Sequence, residues 1–403
     1  MSRKKALRNP GSHTLNLERL EGRVLLAGNV TTSLVGTTLT IDGDAQNNQV
    51  HITRVSPQKI LLESGQSATT FNGKAAPVEI QFPDNGHLKI NLKGGNDELS
   101  INQGWSVQPN GTFIVKSLTI NMGTGQDGLT IYDTHVTGTT ATTVSLGPDG
   151  NEGFNFLNIA LGCQFAGALN VTATGGQSSV RIFEASVGTH LNITQGVGPD
   201  EAWVRNTPVG GNVTVTMGAG DDHCRLHNIT AGNTITFYGQ QNNDTLLGED
   251  LDAKDLKLYL GAGNNTVELK RTGINPSILT NLLVNAGAGM DDIDIFFAQL
   301  GTATFQLGDG NNTLDGGGLT ITTASVYGGA QKDDIAFTLS TFGTLIGYLY
   351  GGNDTFFTPA GFPVKATAKL FLLGGAGMNT LTDDGLIKPA GASATTIKNF
   401  AIA

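Results

Sequence analysis

Residues 256 to 265 read LKLYLGAGNN, and residues 213 to 222 read VTVTMGAGDD. In both, apolar and polar residues alternate and then give way to a Gly-x-Gly turn carrying paired Asn or Asp. Period-two alternation places Leu256, Leu258 and Leu260 on one side of a strand and Lys257 and Tyr259 on the other. The unit recurs as Leu118 to Met122 before GTGQDG and as Ala303 to Leu307 before GDGNN. Later turns are Gly351-Gly352-Asn353-Asp354 and Gly374-Gly375-Ala376-Gly377. After the turn the alternation resumes, as at Val267 and Leu269 or at Ile293 and Ile295.

Turn glycines fall at 94, 123, 147, 175, 196, 218, 239, 261, 287, 308, 328, 351 and 374, so the gaps run from 20 to 29 residues and cluster at 21 to 23. No unit has enough apolar surface to fold alone, so successive units must stack and bury their inward residues in a shared column. The reading is an all-β chain forming a single parallel β-helix, or solenoid, of about 22 residues per coil, with stacked strands about 4.8 Å apart. Roughly fourteen coils give a rod on the order of 65 Å long, and right-handed coiling is expected because units of this length resemble right-handed β-helices. The alternative is a β-propeller, whose blades of about 40 to 45 residues would each take two units; alternate units show no second-order difference. The regular coils are expected from 88 to 388, with atypical coils or a cap at 29 to 87 and a C-terminal cap at 389 to 403. The longer gaps after Gly94 and Gly147 leave room for loops near Gly104 to Gly111 and Asn158 to Ala166.

The 403 residues include 56 Gly, only 14% charged and 6% aromatic residues, a composition of short strands and turns. No apolar run approaches the ~20 residues that span a bilayer as a helix. The formal charge of -10 conceals an asymmetry: the first 24 residues carry six Lys or Arg against Glu18 and Glu21, and the remainder carries 18 basic against 32 acidic residues, near -14. So acidic a body is a poor partner for nucleic acid, which needs clustered Lys and Arg; cation binding or solubility suits it better. Cys163 and Cys224 are far apart, with no second Cys near either, which argues against zinc. Buried thiols are the expected state, with a disulfide the other.

Residues 1 to 28 are basic and reach only a short apolar stretch, Val24-Leu25-Leu26-Ala27, too brief for the core of a common secretory signal. Leu17-Glu18-Arg19-Leu20-Glu21-Gly22-Arg23-Val24-Leu25-Leu26-Ala27 resembles the LEPR-XLL-type N-terminal segment of planctomycete exported surface proteins, with Gly22 where that family often has Pro or Asp. The next stretch, Gly28 to Thr32 through Leu39 to Asp44, resembles the opening coil that follows such a segment. The resemblance implies an export or sorting segment, a cell-surface or extracellular location, and no particular activity.

The turns are loosely similar to calcium-binding nonapeptide repeats, in which carboxylates of adjacent coils share an ion; here each coil carries one Gly-Asp turn instead of consecutive nonapeptides. Stacking is expected to align the turn acids along one ridge, which makes Asp97, Asp127, Asp221, Asp222, Asp244, Asp291, Asp292, Asp333, Asp334 and Asp354 the candidate metal ligands, with calcium the expected ion. The competing reading is structural: Gly supplies positive φ, Asp and Asn cap the turn, and stacked amides form ladders. Enzymatic readings need carboxylates within about 5 to 10 Å of one another. Asp333 with Asp334, or Asp291, Asp292 and Asp294, could supply them, but nothing distinguishes one coil from the rest. Lys270 and Arg271 follow a strand and read as solvated. His223 and His227, in a strand, fall on one face roughly 13 Å apart, too far to share a metal. Trp105, Tyr132, Trp203 and Tyr259 would form a sugar-stacking surface if exposed.

These observations predict a structural or adhesive solenoid with no catalytic residues assigned. Its expected partners are polysaccharide, other cell-surface components or further copies of itself. The alternative is a polysaccharide-active lyase or hydrolase.

Overall fold

In the computed structural model, residues 28–65, 69–104, 109–148, 153–272, 278–296, 298–389 and 395–402 are described; the basic N-terminal segment and Trp105 lie outside them. The described residues form strands, turns and bends, with no helix, and so none long and apolar enough to cross a membrane. From Gly86 onward the strands pair in parallel with the coil before and the coil after. The first sheet runs from Thr38–Asp42 through Gly86–Asn91, Val213–Ala219 and Asp255–Tyr259 to Thr395–Lys398. The second runs from Gln49–Ser56 through Glu98–Ile101, Glu201–Val209 and Asp292–Phe296 to Ala401–Ile402. A narrower third sheet begins with Thr134–Val136, Gln164–Phe165 and Ser186–Val187. This parallel pairing of successive coils is a β-solenoid and excludes propeller blades, which are antiparallel meanders.

The core consists of columns in which each inward residue sits over its counterpart one coil away. On the first sheet Val144, Val171, Ile193, Val215, Phe237, Leu258 and Val284 stand in register, every one of them buried. On the second, Ile159, Ile182, Val204 and Leu226 lead to Gly248, where an added Cβ would come within 2.6 Å of the Leu269 side chain. A small residue there makes room for a large one in the next coil, as close packing requires. Each fully buried aliphatic side chain contributes about 1.5–3 kcal/mol, so the column as a whole, and no single coil, carries the stability. Outward residues also stack: Tyr238 on Tyr259 with centroids 5.1 Å apart, and Tyr327 on Tyr348 at 5.7 Å.

The N-terminal end departs from this pattern. Asn29–Val35 and Thr38–Asp42 form an antiparallel hairpin, and Gln49–Ser56, Lys59–Glu63 and Val78–Gln81 pair antiparallel in turn. Arg54 fastens this end to the coils: its guanidinium donates to Asp84 at 2.8 Å and to the carbonyl of Thr112 at 2.7 Å. At the other end, Thr395–Lys398 and Ala401–Ile402 continue the parallel register. Residues 158 to 166, expected as a loop, instead complete a regular strand, a corner at Leu161 with φ 57°, and the short strand Gln164–Phe165. The extra length of that coil falls before Phe154, between the turn at Gly147 and the strand.

Candidate functional site

The turn between the first and second sheets is where the predicted ligands lie, and its shape follows from stacking. Gly263 and Gly289 have φ of 124° and 132°, in the left-handed region that favours glycine. A Cβ on Gly289 would lie 1.9 Å from the Gly263 carbonyl oxygen of the preceding coil. Glycine is favoured at that position for this reason, and the coil before Gly263 fills it with Asn242 at a φ of 76°.

The paired Asp or Asn after the turn divide between two environments. In Asp221-Asp222, Asn243-Asp244, Asn264-Asn265 and Asn311-Asn312 the second residue points inward, whereas in Asp291-Asp292 and Asp333-Asp334 the first does. Asp97, Asp127, Asp222, Asp244, Asp291, Asp333 and Asp354 are all 2% exposed or less, as is Asp200, which was not among the candidates. Their Oδ1 atoms accept backbone N–H bonds from the preceding coil: Asp97 from Asn48 at 2.7 Å, Asp222 from Asp200 at 2.7 Å, Asp244 from Asp222 at 3.1 Å and Asp354 from Asp333 at 3.0 Å. Asn155, Asn265, Asn312 and Asn379 occupy the same column and accept in the same way. Where it is Asp or Asn, the residue just before the inward one points outward and bonds in the opposite sense. Asp221 Oδ1 accepts from the N–H of Asn243 in the following coil at 3.0 Å, and Asn243 in turn accepts from Asn264 at 2.8 Å. Neighbouring turns are thus tied by an inward rail and, where the outward residue is Asp or Asn, by a second rail of opposite polarity.

The inward rail has a chemical asymmetry. An Asn in it has a donor to spare: Nδ2 of Asn155 reaches the Gly147 carbonyl at 3.2 Å, and that of Asn379 reaches Gly374 at 2.7 Å. An ionised Asp has none. Oδ2 of Asp97, Asp222, Asp244 and Asp291 is buried without a hydrogen-bond partner. Burial, and after it neighbouring carboxyls, pushes Asp97, Asp200 and Asp244 up to about 7; burial and Asp221 push Asp222 up to about 6. Burial alone takes Asp291 to about 6. These groups hold the turns together, and their enclosed oxygens are not arranged around a common centre.

Asp292 and Asp334 belong to neither rail. They lie on the outward face of the second sheet, where Glu268, Asp294 and Asp315 stand directly above one another in successive coils. Burial, then the charges of Asp292, Asp315 and Glu268, push Asp294 up to about 6. Lys270 pairs with Glu268 at 3.1 Å, and Lys332 pairs with Asp334. The structure therefore separates Asp333 from Asp334, and Asp291 from Asp292 and Asp294, which remain together on the outward face. Among the described residues, no three His, Cys, Asp or Glu side chains converge as a metal-binding group. Cys163 and Cys224 are free buried thiols, and burial pushes both upward, Cys163 to about 11. His223 is exposed, and His227 pairs with Glu249 at 2.8 Å.

Of the aromatics expected to form a surface, Tyr259 is stacked with Tyr238 on the first sheet, whereas Tyr132 and Trp203 lie outward on the second. Around them the structure gathers Phe156, Arg181, Phe183, Arg205 and Arg225, which the sequence reading did not single out. The available signal was the spacing: Arg181, Trp203 and Arg225 recur every 22 residues, one coil apart. No protein-family model, curated protein or solved structure matches the chain.

Proposed function

We propose that the chain is a non-enzymatic structural and adhesive solenoid, exported to the cell surface, where it acts as a stiff spacer. The observation that carries this reading is the coil-to-coil register from Gly86 to Ile402, reinforced by the inward hydrogen-bonded rail and at several turns by the outward one. A stack whose successive coils pair edge to edge and whose turns are tied in this way resists bending and extends a surface away from its anchor. The export component rests on the LEPR-XLL-like segment. Its test is protease treatment of intact cells of the source organism followed by immunodetection. Loss of the protein without lysis is expected, and full protection inside intact cells would overturn the surface assignment.

Ordering by calcium is a separate component of this reading. Carboxylates open to a dissolved cation include the outward Asp221, Glu268, Asp292, Asp294, Asp315 and Asp334, whereas the inward rail is enclosed. Melting the protein in millimolar calcium and again in excess chelator decides it: a higher melting temperature with calcium is expected, and an unchanged one removes calcium from the function.

A further inference from the structure

The outward face of the second sheet carries columns of residues one coil apart. One runs Arg181, Trp203, Arg225 and Leu247, and its neighbour runs Phe183, Arg205, His227 and Glu249. Rings and guanidinium groups alternate across them. Arg181 lies 5.6 Å over the Phe156 ring, Arg205 5.1 Å over Phe183, and Arg225 5.6 Å over Trp203, while Phe183 and Trp203 meet edge to face at 4.9 Å. Two shallow grooves follow one another along this face, about 310 Å³ between Tyr132, Phe156, Arg181 and Phe183, and about 220 Å³ between Trp203, Arg205, Arg225 and Glu249.

The charge placement is uneven. After residue 28 the chain has five arginines, Arg54, Arg181, Arg205, Arg225 and Arg271, so three of them stand in consecutive coils on one face of an acidic body. Arg181 is paired with Glu201 at 2.9 Å, and Arg205 reaches Glu184 only at 3.7 Å. Arg225 is exposed, and among the described residues no carboxylate lies within ion-pairing distance of it. It stacks on the Trp203 ring, and its charge helps to lower the carboxyl of Glu201. The stacked tyrosines of the first sheet lie flat on one another, with interplanar angles of 8° and 5°. That is a packing ladder, whereas on the second sheet Phe156, Phe183 and Trp203 each carry a guanidinium over the ring.

We propose that this face binds a linear anionic polysaccharide, with sugar rings seated against Phe156 and Trp203 and acidic substituents paired with Arg181, Arg205 and Arg225. Aromatic rings offer sugars an apolar face to cover, and a planar guanidinium makes two parallel hydrogen bonds to a carboxylate or sulfate. Arginines one coil apart recur about every 4.8 Å along the axis, in step with a polymer charged sugar by sugar. A duplex nucleic acid, with one charge per ~1.7 Å, would meet too few cations here and a repelling body around them. The assignment stands independently of the spacer role and of cellular location.

Native electrophoresis of the full chain through gels containing polygalacturonate, chondroitin sulfate or neutral hydroxyethylcellulose tests it. Retardation by at least one anionic polymer and none by the neutral one is expected; which anionic polymer acts distinguishes carboxylate from sulfate recognition. Arg225→Glu should weaken retardation at least tenfold and Trp203→Ala several-fold. Lys257→Glu, the same charge change on the first sheet, should leave it unchanged. Circular dichroism melts confirm that each variant is folded, and Arg225→Gln serves in place of any charge-reversed chain that is not. Absence of retardation in both anionic gels, equal retardation by the neutral polymer, or retention indifferent to both Arg225 substitutions overturns the proposal.

Discussion

Asp222 and Asp294 are both aspartates beside a turn of the same solenoid, yet they answer to different physics. Asp222 is fully enclosed, with one oxygen accepting the N–H of Asp200 at 2.7 Å and the other facing no donor. Asp294 stands on an open sheet face, stacked between Glu268 and Asp315 and partly bathed in solvent. Both carboxyls are pushed up to about 6, by burial first in each case, but around Asp294 there are several like charges that salt can screen. A raised carboxyl value therefore has two meanings in one molecule. In the inward rail it reports enclosure of a group whose column is elsewhere filled by asparagine. On the outward face it reports crowding.

The largest expected consequence is an inverted pH dependence of stability. A carboxyl whose folded value lies above its unfolded value of about 3.9 favours folding most when protonated. That advantage is complete below about pH 4 and is lost as the pH rises through 6 to 7, where Asp97, Asp200, Asp222, Asp244, Asp291 and Asp354 titrate in the fold. His51, held below its ordinary value of 6.5 mainly by burial, works the other way, but one imidazole only blunts the gain that six carboxyls bring as the pH falls. Chemical denaturation should show clearly higher stability at pH 5 than at pH 8, because all six groups lose their protons in the fold between those values while the unfolded chain's carboxyls are already ionised, and even one group shifted by one unit is worth about 1.4 kcal/mol. A protein equally stable at both would show that the inward acids ionise without penalty and would erase the distinction between the two regions.

Substitution separates the acceptor role of the rail from its protonation. Asp222→Leu leaves the Asp200 N–H buried with no acceptor and should cost about 1–3 kcal/mol at any pH in urea titration. The outward Asp292→Leu should change stability by no more than about 0.5 kcal/mol. Asp222→Asn combined with Asp244→Asn keeps both acceptors and adds the donor that Asn155 and Asn379 use toward their turns. It should raise stability by about 1 kcal/mol or more at pH 8, with little change at pH 4, flattening the pH profile. Loss of stability at pH 8 in this pair would mean that the charged carboxylates themselves are needed.

The solenoid was legible because its determinants are local and repeated: alternation in Val213 to Met217 or Leu256 to Leu260 fixes the strand, and the Gly-x-Gly turn fixes the corner. The two environments of the aspartates were legible in principle from the same alternation. Asp222 is in phase with Cys224 and Leu226, which are buried, whereas Asp221 is in phase with His223 and Arg225, which are exposed. Treating each pair as one ridge ignored that phase and merged Asp291 with Asp292 and Asp333 with Asp334. The arginine and aromatic columns needed a comparison between coils, because nothing within a single coil marks Arg181 or Phe183. The displaced insertion was harder still: the alternation of residues 154 to 160 reads as a strand, but its register against Gln177–Phe183 depends on which neighbour it stacks upon.

The smallest effect expected is the one that sharpens the contrast most. Asp294→Asn removes the central charge of the outward stack while leaving the backbone pairing of Asp292–Phe296 with its neighbours untouched. Like charges directly opposite one another in a sheet cost a few tenths of a kcal/mol, and at an open face much of that is screened by salt. The substitution should therefore stabilise the protein slightly at low ionic strength and make no difference in molar salt. The Asn pair in the inward rail should keep its advantage at pH 8 in both, because no ions reach the enclosed carboxyls. Thermal melts of wild type, Asp294→Asn and the inward pair across a salt series would register this as one pair of curves that converge and one that stays apart. Convergence of both would mean that the inward rail is open to solvent, and its acids would then have to be reconsidered as groups that a dissolved cation can reach.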